Sequence, residues 1–253
     1  MSLRSAYDAS AAVLRRSDIS PDTYPVVREV ERLREYWRPK TPCIILLAES
    51  HVATREQDFK LQMDAPTLRR LGLEGYPSHF VRFVYCLGPG ERELHPSRAR
   101  PRNRSKWQFW RLLWSCENDP SRENFDLTRR ATPDFDERLR KKILLLRTLQ
   151  RRGIWLLDAS IIGINSLEPP IKREATTVSW QGYVGPRVQA LDPPPRHLVV
   201  IGKTVAETIF RSKSGEGTWS GIPYEVVNQP EGDRTREGQQ RTLRRIFRIC
   251  SDC

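Results

Sequence analysis

Long apolar runs are missing from this chain of 253 residues; no stretch approaches the ~18 apolar residues that a membrane span needs. Residues 1–16 also lack the apolar core of a secretory signal, so neither a membrane protein nor a secreted one is expected. Histidine is scarce at four residues. The one Cys-x-x-Cys spacing, Cys250 to Cys253, has no second such pair and no paired histidines beside it. No metal and no other cofactor is therefore expected. Five cysteines are an odd count for a disulfide framework, and Cys43 and Cys86 lie in apolar runs that read as buried thiols of a reducing cytosol.

Lysine is the other scarcity. The chain carries 35 Arg and only 8 Lys against 31 Asp and Glu, a net charge of +12. Guanidinium groups grip phosphates bidentately and stack on bases, so this bias points to a nucleic-acid partner. Hydrophobic residues make up 38% of the chain, and with a mean hydropathy of −0.60 this suits a folded globular protein. The length is enough for one large α/β domain.

Residues 1–25 read as a polar, partly ordered arm, and residues 26–253 as a single domain. Between Pro25 and Trp37, the residues Val26, Val27, Val30, Leu33 and Trp37 recur at helical spacing. Residues 43–48 then form a short continuous apolar run, the pattern of a strand buried on both faces. Further strands are expected over 81–87, 154–157, 198–201 and 224–227, and helices over 107–116, 135–152, 205–211 and 239–250. Strands alternating with helices predict a three-layer α/β/α sandwich around a mostly parallel sheet of four to five strands. The last helix places Leu243, Ile246, Phe247 and Cys250 on one face and Arg241, Arg244, Arg245 and Arg248 on the other.

Residues 91–106 stand apart: Arg92, Arg98, Arg100, Arg102, Arg104 and Lys106 are interrupted by Pro96 and Pro101 and followed by Trp107 and Trp110. A proline-broken cationic loop beside aromatics suits a nucleic-acid backbone. In parallel sheets, ligands collect at the carboxyl ends of the strands. Those ends carry Glu49, Ser50 and His51, then Tyr85, then Asp158, then Gly202-Lys203-Thr204, then Asn228 and Gln229. The Gly-Lys-Thr triplet is not a phosphate-binding P-loop, because the leading glycine of that motif is replaced by His197. A GxSxG nucleophile elbow is missing too, which argues against an α/β hydrolase.

In order and spacing the chain resembles the uracil-DNA glycosylase superfamily over about residues 26–248. Ala48-Glu49-Ser50-His51-Val52 stands where that family shows GQDPY or GEAPG. Helix 135–152 leads through Gly153 into Ile154-Trp155-Leu156-Leu157-Asp158, like the family's RGVLLLN, and the segment from His197 to Gly202 looks like its VLLLWG. Asn228-Gln229-Pro230-Glu231-Gly232 stands where an HPS-type loop closes over DNA. The resemblance implies a monofunctional DNA glycosylase of base excision repair, working without a cofactor as a monomer on DNA containing uracil or another modified base, in the cytoplasm at a bacterial nucleoid.

By the same resemblance, Glu49, Ser50 and His51 are the catalytic group: Glu49 positions water or opposes the sugar cation, and His51 supports the leaving base. Tyr85, Asp158, Asn228 and Gln229 contact the base, and Arg98, Arg100, Arg102, Arg104, Lys203 and Arg234 hold DNA. Three positions depart from the family pattern. Ser50 stands where members carry Asp or Asn, Gln229 replaces the loop histidine, and Asp158 replaces the asparagine that reads uracil. An ionised Asp offers only acceptors, so it suits N3–H but repels O4. The alternative is a catalytically silent DNA-binding protein on the same fold.

Overall fold

A computed structural model of the protein describes residues 1–95, 108–211, 216–229, 232 and 235–251. Its strands are β1 (Ile44–Ala48), β2 (Ile154–Asp158), β3 (His197–Ile201), β4 (Glu216–Trp219) and β5 (Ile222–Val227). The helices α1 (Leu3–Arg16), α2 (Tyr24–Tyr36), α3 (Glu56–Phe59), α4 (Ala65–Arg70) and α5 (Gln108–Ser115) are followed by α6 (Phe135–Arg151) and α7 (Pro169–Ser179). Then come α8 (Gly185–Gln189), α9 (Lys203–Phe210) and α10 (Arg236–Ser251). Among the described residues no helix is long and apolar enough to cross a membrane.

The strands form one sheet in the order β2-β1-β3-β5-β4, with the first four parallel and β4 antiparallel at the edge. Every residue of β1 and β2 is buried, as a parallel sheet covered on both faces requires. Helix α1 packs on α2 and α7, and α7 on α9, while α5 packs on α6 and α10. The two sets of helices, with α9 on β3, α6 on β2 and α10 on β5, make the expected three-layer α/β sandwich.

Local chemistry explains the element ends. Asp134 caps α6 by accepting the Glu137 N–H at 2.7 Å, and Gly153 ends the turn that follows it at φ +76°. That glycine is also a close approach: a Cβ there would lie 2.7 Å from the Thr41 carbonyl oxygen and 2.9 Å from the Cys43 backbone nitrogen. Both atoms belong to the chain entering β1, so Gly153 sets how β2 starts beside it.

Three expectations are corrected. Residues 1–25 are not a polar arm: Ser2 caps α1, and Ala6, Tyr7, Ala11, Val13 and Leu14 are buried in the core. Small residues on this helix allow close packing, as in the contact of the Ser10 and Ser179 hydroxyls at 2.9 Å. Residues 81–87 are buried except for the half-buried Arg82 and Val84, but form no strand. Their backbone groups are satisfied by turns and by Tyr76, whose hydroxyl donates to the Tyr85 carbonyl at 2.6 Å and accepts the Leu87 N–H at 2.9 Å. A short apolar run reads alike whether its polar backbone is met by a sheet or by turns. Cys43, expected as a thiol, is disulfide-bonded, whereas Cys86, Cys116 and Cys250 are free and buried.

A buried charge cluster holds the segment that follows. Glu91 accepts from Arg138 Nη2 at 2.6 Å and from Lys142 Nζ at 2.5 Å. Burial acts to raise the Glu91 carboxyl, but Arg138 and Lys142 outweigh it and hold it below its ordinary value.

Gly153→Ala is expected to destabilise the protein by about 2 kcal/mol or more, because it adds a positive-φ penalty to a backbone clash. Urea unfolding of the two proteins checks this; equal midpoints would refute it.

Candidate functional site at the carboxyl ends of the strands

The chain leaves β1 for β2 on one side and returns to β3 on the other, so the sheet's switch point lies between β1 and β3. The register sets Ala48 level with Asp158, and Ile201 level with Val227. With Leu47 opposite Val200, the next residues, Glu49, Gly202 and Asn228, follow in one row across β1, β3 and β5.

His51 is buried at the centre of this edge. Its Nε2 lies 3.1 Å from Asp22 Oδ2 and its Nδ1 lies 3.8 Å from Asp158 Oδ2, too far for a hydrogen bond. Among the described residues Nδ1 has no hydrogen-bond partner. Asp22, in the segment between α1 and α2, also accepts the backbone N–H groups of Thr54 at 2.9 Å and Gly163 at 2.7 Å. Burial acts to raise the Asp22 carboxyl, yet the hydrogen bond and charge of His51, with the two backbone donors, hold it below 3.8. Gly163 is required here because a Cβ would come within 2.5 Å of the Ala53 backbone nitrogen.

Asp158 is paired with the buried Arg34 of α2, whose other terminal nitrogen pairs with Glu31. Glu31 in turn accepts from Arg187 at 2.7 Å, and burial, with the nearby Arg34 charge, pushes the Arg187 guanidinium down to about 10. The Arg34 guanidinium lies 4.9 Å over the Phe83 ring. Asp22, Glu31 and Asp158 therefore share one buried network with Arg34, Arg187 and the His51 ring.

Ser50, His51, Phe83, Phe109, Leu156 and Asp158 are among the residues lining a slot of about 40 Å³. That volume holds a water or two, whereas ligand pockets run to ~300–1,000 Å³. Ser50 Oγ accepts the Ile164 N–H at 3.2 Å. Glu49 is half-buried just outside the slot and accepts from Lys172 Nζ of α7 at 3.1 Å.

The expected base contacts divide. Asp158 stands in the slot with Ser50 and His51. Tyr85 does not line it: its ring is buried, its hydroxyl accepts the Leu156 N–H at 2.8 Å, and burial raises that phenol. Phe83 and Phe109 are the aromatics that line the slot. Asn228 and Gln229 are half-buried two strands from β1, roughly 10 Å by strand spacing. Asn228 and Lys203 line a second, larger groove of about 620 Å³ against α10. Arg98, Arg100, Arg102, Arg104 and Arg234, and Cys253 with them, lie outside the described residues.

Sequence reading missed Asp22, Glu31, Arg34, Lys172 and Arg187. Glu31 and Arg34 had left a signal, a charged pair three residues apart beside the apolar stripe of Val26, Val27, Val30 and Leu33. No protein-family model matches the chain, and no curated protein matches it.

Arg34→Met leaves two buried carboxylates short of a partner and is expected to destabilise the fold by about 3–5 kcal/mol in denaturant titration. A loss below about 1 kcal/mol would contradict the network.

The lowered Asp22 carboxyl contributes stability that is fully present above the unfolded carboxyl value and is lost as pH falls through the lower native one. Stability measured from pH 7 to 3 should therefore fall at the acid end, and less steeply in Asp22→Asn. Parallel curves would refute the assignment.

Proposed function

We propose that the protein is a monofunctional DNA glycosylase that flips a modified base, uracil in the first instance, out of DNA and hydrolyses its N-glycosidic bond. The observation that carries this reading is the gathering of Glu49, Ser50, His51 and Asp158 where β1 and β2 end, beside the switch point. Such a reaction separates an oxocarbenium-like sugar from an anionic base, and it needs a carboxylate on one side and donors on the other. Glu49, at the rim, opposes the cation or holds the attacking water. His51, with Nδ1 facing Asp158, supports the leaving base.

A carboxylate alone offers no donor to O4, and Arg34, bound to Asp158, does not line the slot, so Asp158 suits a base edge that donates to it. Phe83 takes the stacking role first assigned to Tyr85. On this reading the protein acts as a monomer in the compartment that holds DNA.

The small size of the slot favours a second reading, a DNA-binding protein on this fold that does not catalyse. Excision from single- and double-stranded oligonucleotides carrying uracil, hypoxanthine, 5-hydroxymethyluracil or normal cytosine decides between them, with alkali to reveal abasic sites. Cleavage at one base, reduced about a hundredfold in Glu49→Ala, is the expected outcome. Salt-sensitive DNA binding without excision of any base would establish the second reading.

A further inference from the structure

The groove between α9, the end of β5 and α10 is a strongly cationic concavity. Lys203 forms one side, and Arg241, Arg244, Arg245 and Arg248 form the other, with Asn228 between them. No carboxylate is among the described residues that line it. Arg245 is committed within the fold, pairing with Glu225 and lying 3.8 Å from Glu216. Among the described residues Arg244 donates to the neutral Gln240 amide, at 3.2 Å, and its charge also helps to lower the Asp119 carboxyl. Among the described residues, Lys203, Arg241 and Arg248 have no carboxylate within 4.0 Å.

The helix that carries these arginines is held firmly. Leu243, Ile246 and Cys250 are buried on its opposite face, and Arg245 ties it to β5. The helix backbone is therefore placed before any ligand arrives, so that only the arginine side chains have to order on binding. From Arg241 to Arg248 the helix rises ~10 Å, and one DNA strand carries a phosphate every ~3.4 Å along its axis. The row thus matches about three successive phosphates, each suited to a bidentate guanidinium contact.

We infer that this groove is a nucleic-acid backbone track, in which Arg241, Arg244 and Arg248 hold successive phosphates of one strand and Lys203 holds the strand from the opposite wall. The inference rests on the DNA partner of the proposed function but not on catalysis. Lys203 follows β3 and Asn228 follows β5, so the track lies on the same sheet edge as Glu49. Its contacts reach the backbone alone, and binding through it is indifferent to base identity.

The test uses the full chain and a lesion-free oligonucleotide, duplex and single-stranded, with binding followed by fluorescence anisotropy across a salt series. The triple variant Arg241→Gln, Arg244→Gln, Arg248→Gln is compared with the wild type after circular dichroism shows equal folding. Affinity is expected to fall about tenfold or more, and the slope of log affinity against log salt to shrink by about three. Lys203→Gln, altered on a different element, is expected to shrink the slope by about one. Unchanged affinity and slope in the triple variant would overturn the inference. Displacement of the oligonucleotide by poly-glutamate at equal charge concentration would overturn it too, since the groove would then be a site for acidic polypeptide. Excision preserved in a triple variant with unaltered binding removes the track and leaves the glycosylase; binding lost in the variant of a protein that excises nothing does the reverse.

Discussion

The buried pairing of Arg34 with Asp158 is the interaction on which this sheet edge depends. Removing two charges from water costs several kcal/mol per ion, and only close partners offset it. Here the carboxylate sits on the last rung of the β1–β2 ladder and the guanidinium on α2. The same guanidinium holds Glu31, and Glu31 holds Arg187 of α8. Three elements, α2, β2 and α8, are thus fastened through buried charges. His51 and Asp22 inherit their positions from that arrangement: Asp158 bounds one side of the imidazole and Asp22 the other.

The two concavities at this edge differ in kind. The slot beside β1 and β2 is small, lined by Phe83, Phe109 and Leu156 together with Ser50, His51, Arg82 and Asp158. Low dielectric there strengthens each electrostatic contact to whatever enters. The groove beside β3 and β5 is wide, and exposed arginines supply its charge. One is a small slot between strand ends, and the other a wide groove lined by cations. The row Glu49, Gly202, Asn228 joins them, because parallel pairing brings all the strand ends to one side of the molecule.

Legibility in the sequence followed the physical range of each signal. The runs 43–48 and 154–157 announced buried parallel strands, because burial on both faces demands uninterrupted apolar residues. The run 81–87 was equally apolar but turned back on itself, since Tyr76 satisfied the groups that a neighbouring strand would have taken. Residues 3–16 looked polar because their buried face is built from alanine, serine and single larger residues rather than a leucine stripe. In the site, residues next to strand ends were legible by position alone, so Glu49, Ser50, His51 and Asp158 were found. Asp22, Arg34 and Arg187 were not, since each reaches the site from a helix or connection distant in the chain.

The sequence by itself determined the layered α/β class, the four parallel strands other than residues 81–87, and which residues end those strands, because period and burial are local properties of the chain. It also determined the arginine-rich face of α10, which any helix over 239–250 must display. Only the tertiary structure decided that Asp158 is met by Arg34, that Phe83 rather than Tyr85 reaches the slot, and that Lys203 faces the α10 arginines across a groove. These are pairings between side chains far apart in the chain, and they arise only when the sheet order places one strand end beside another.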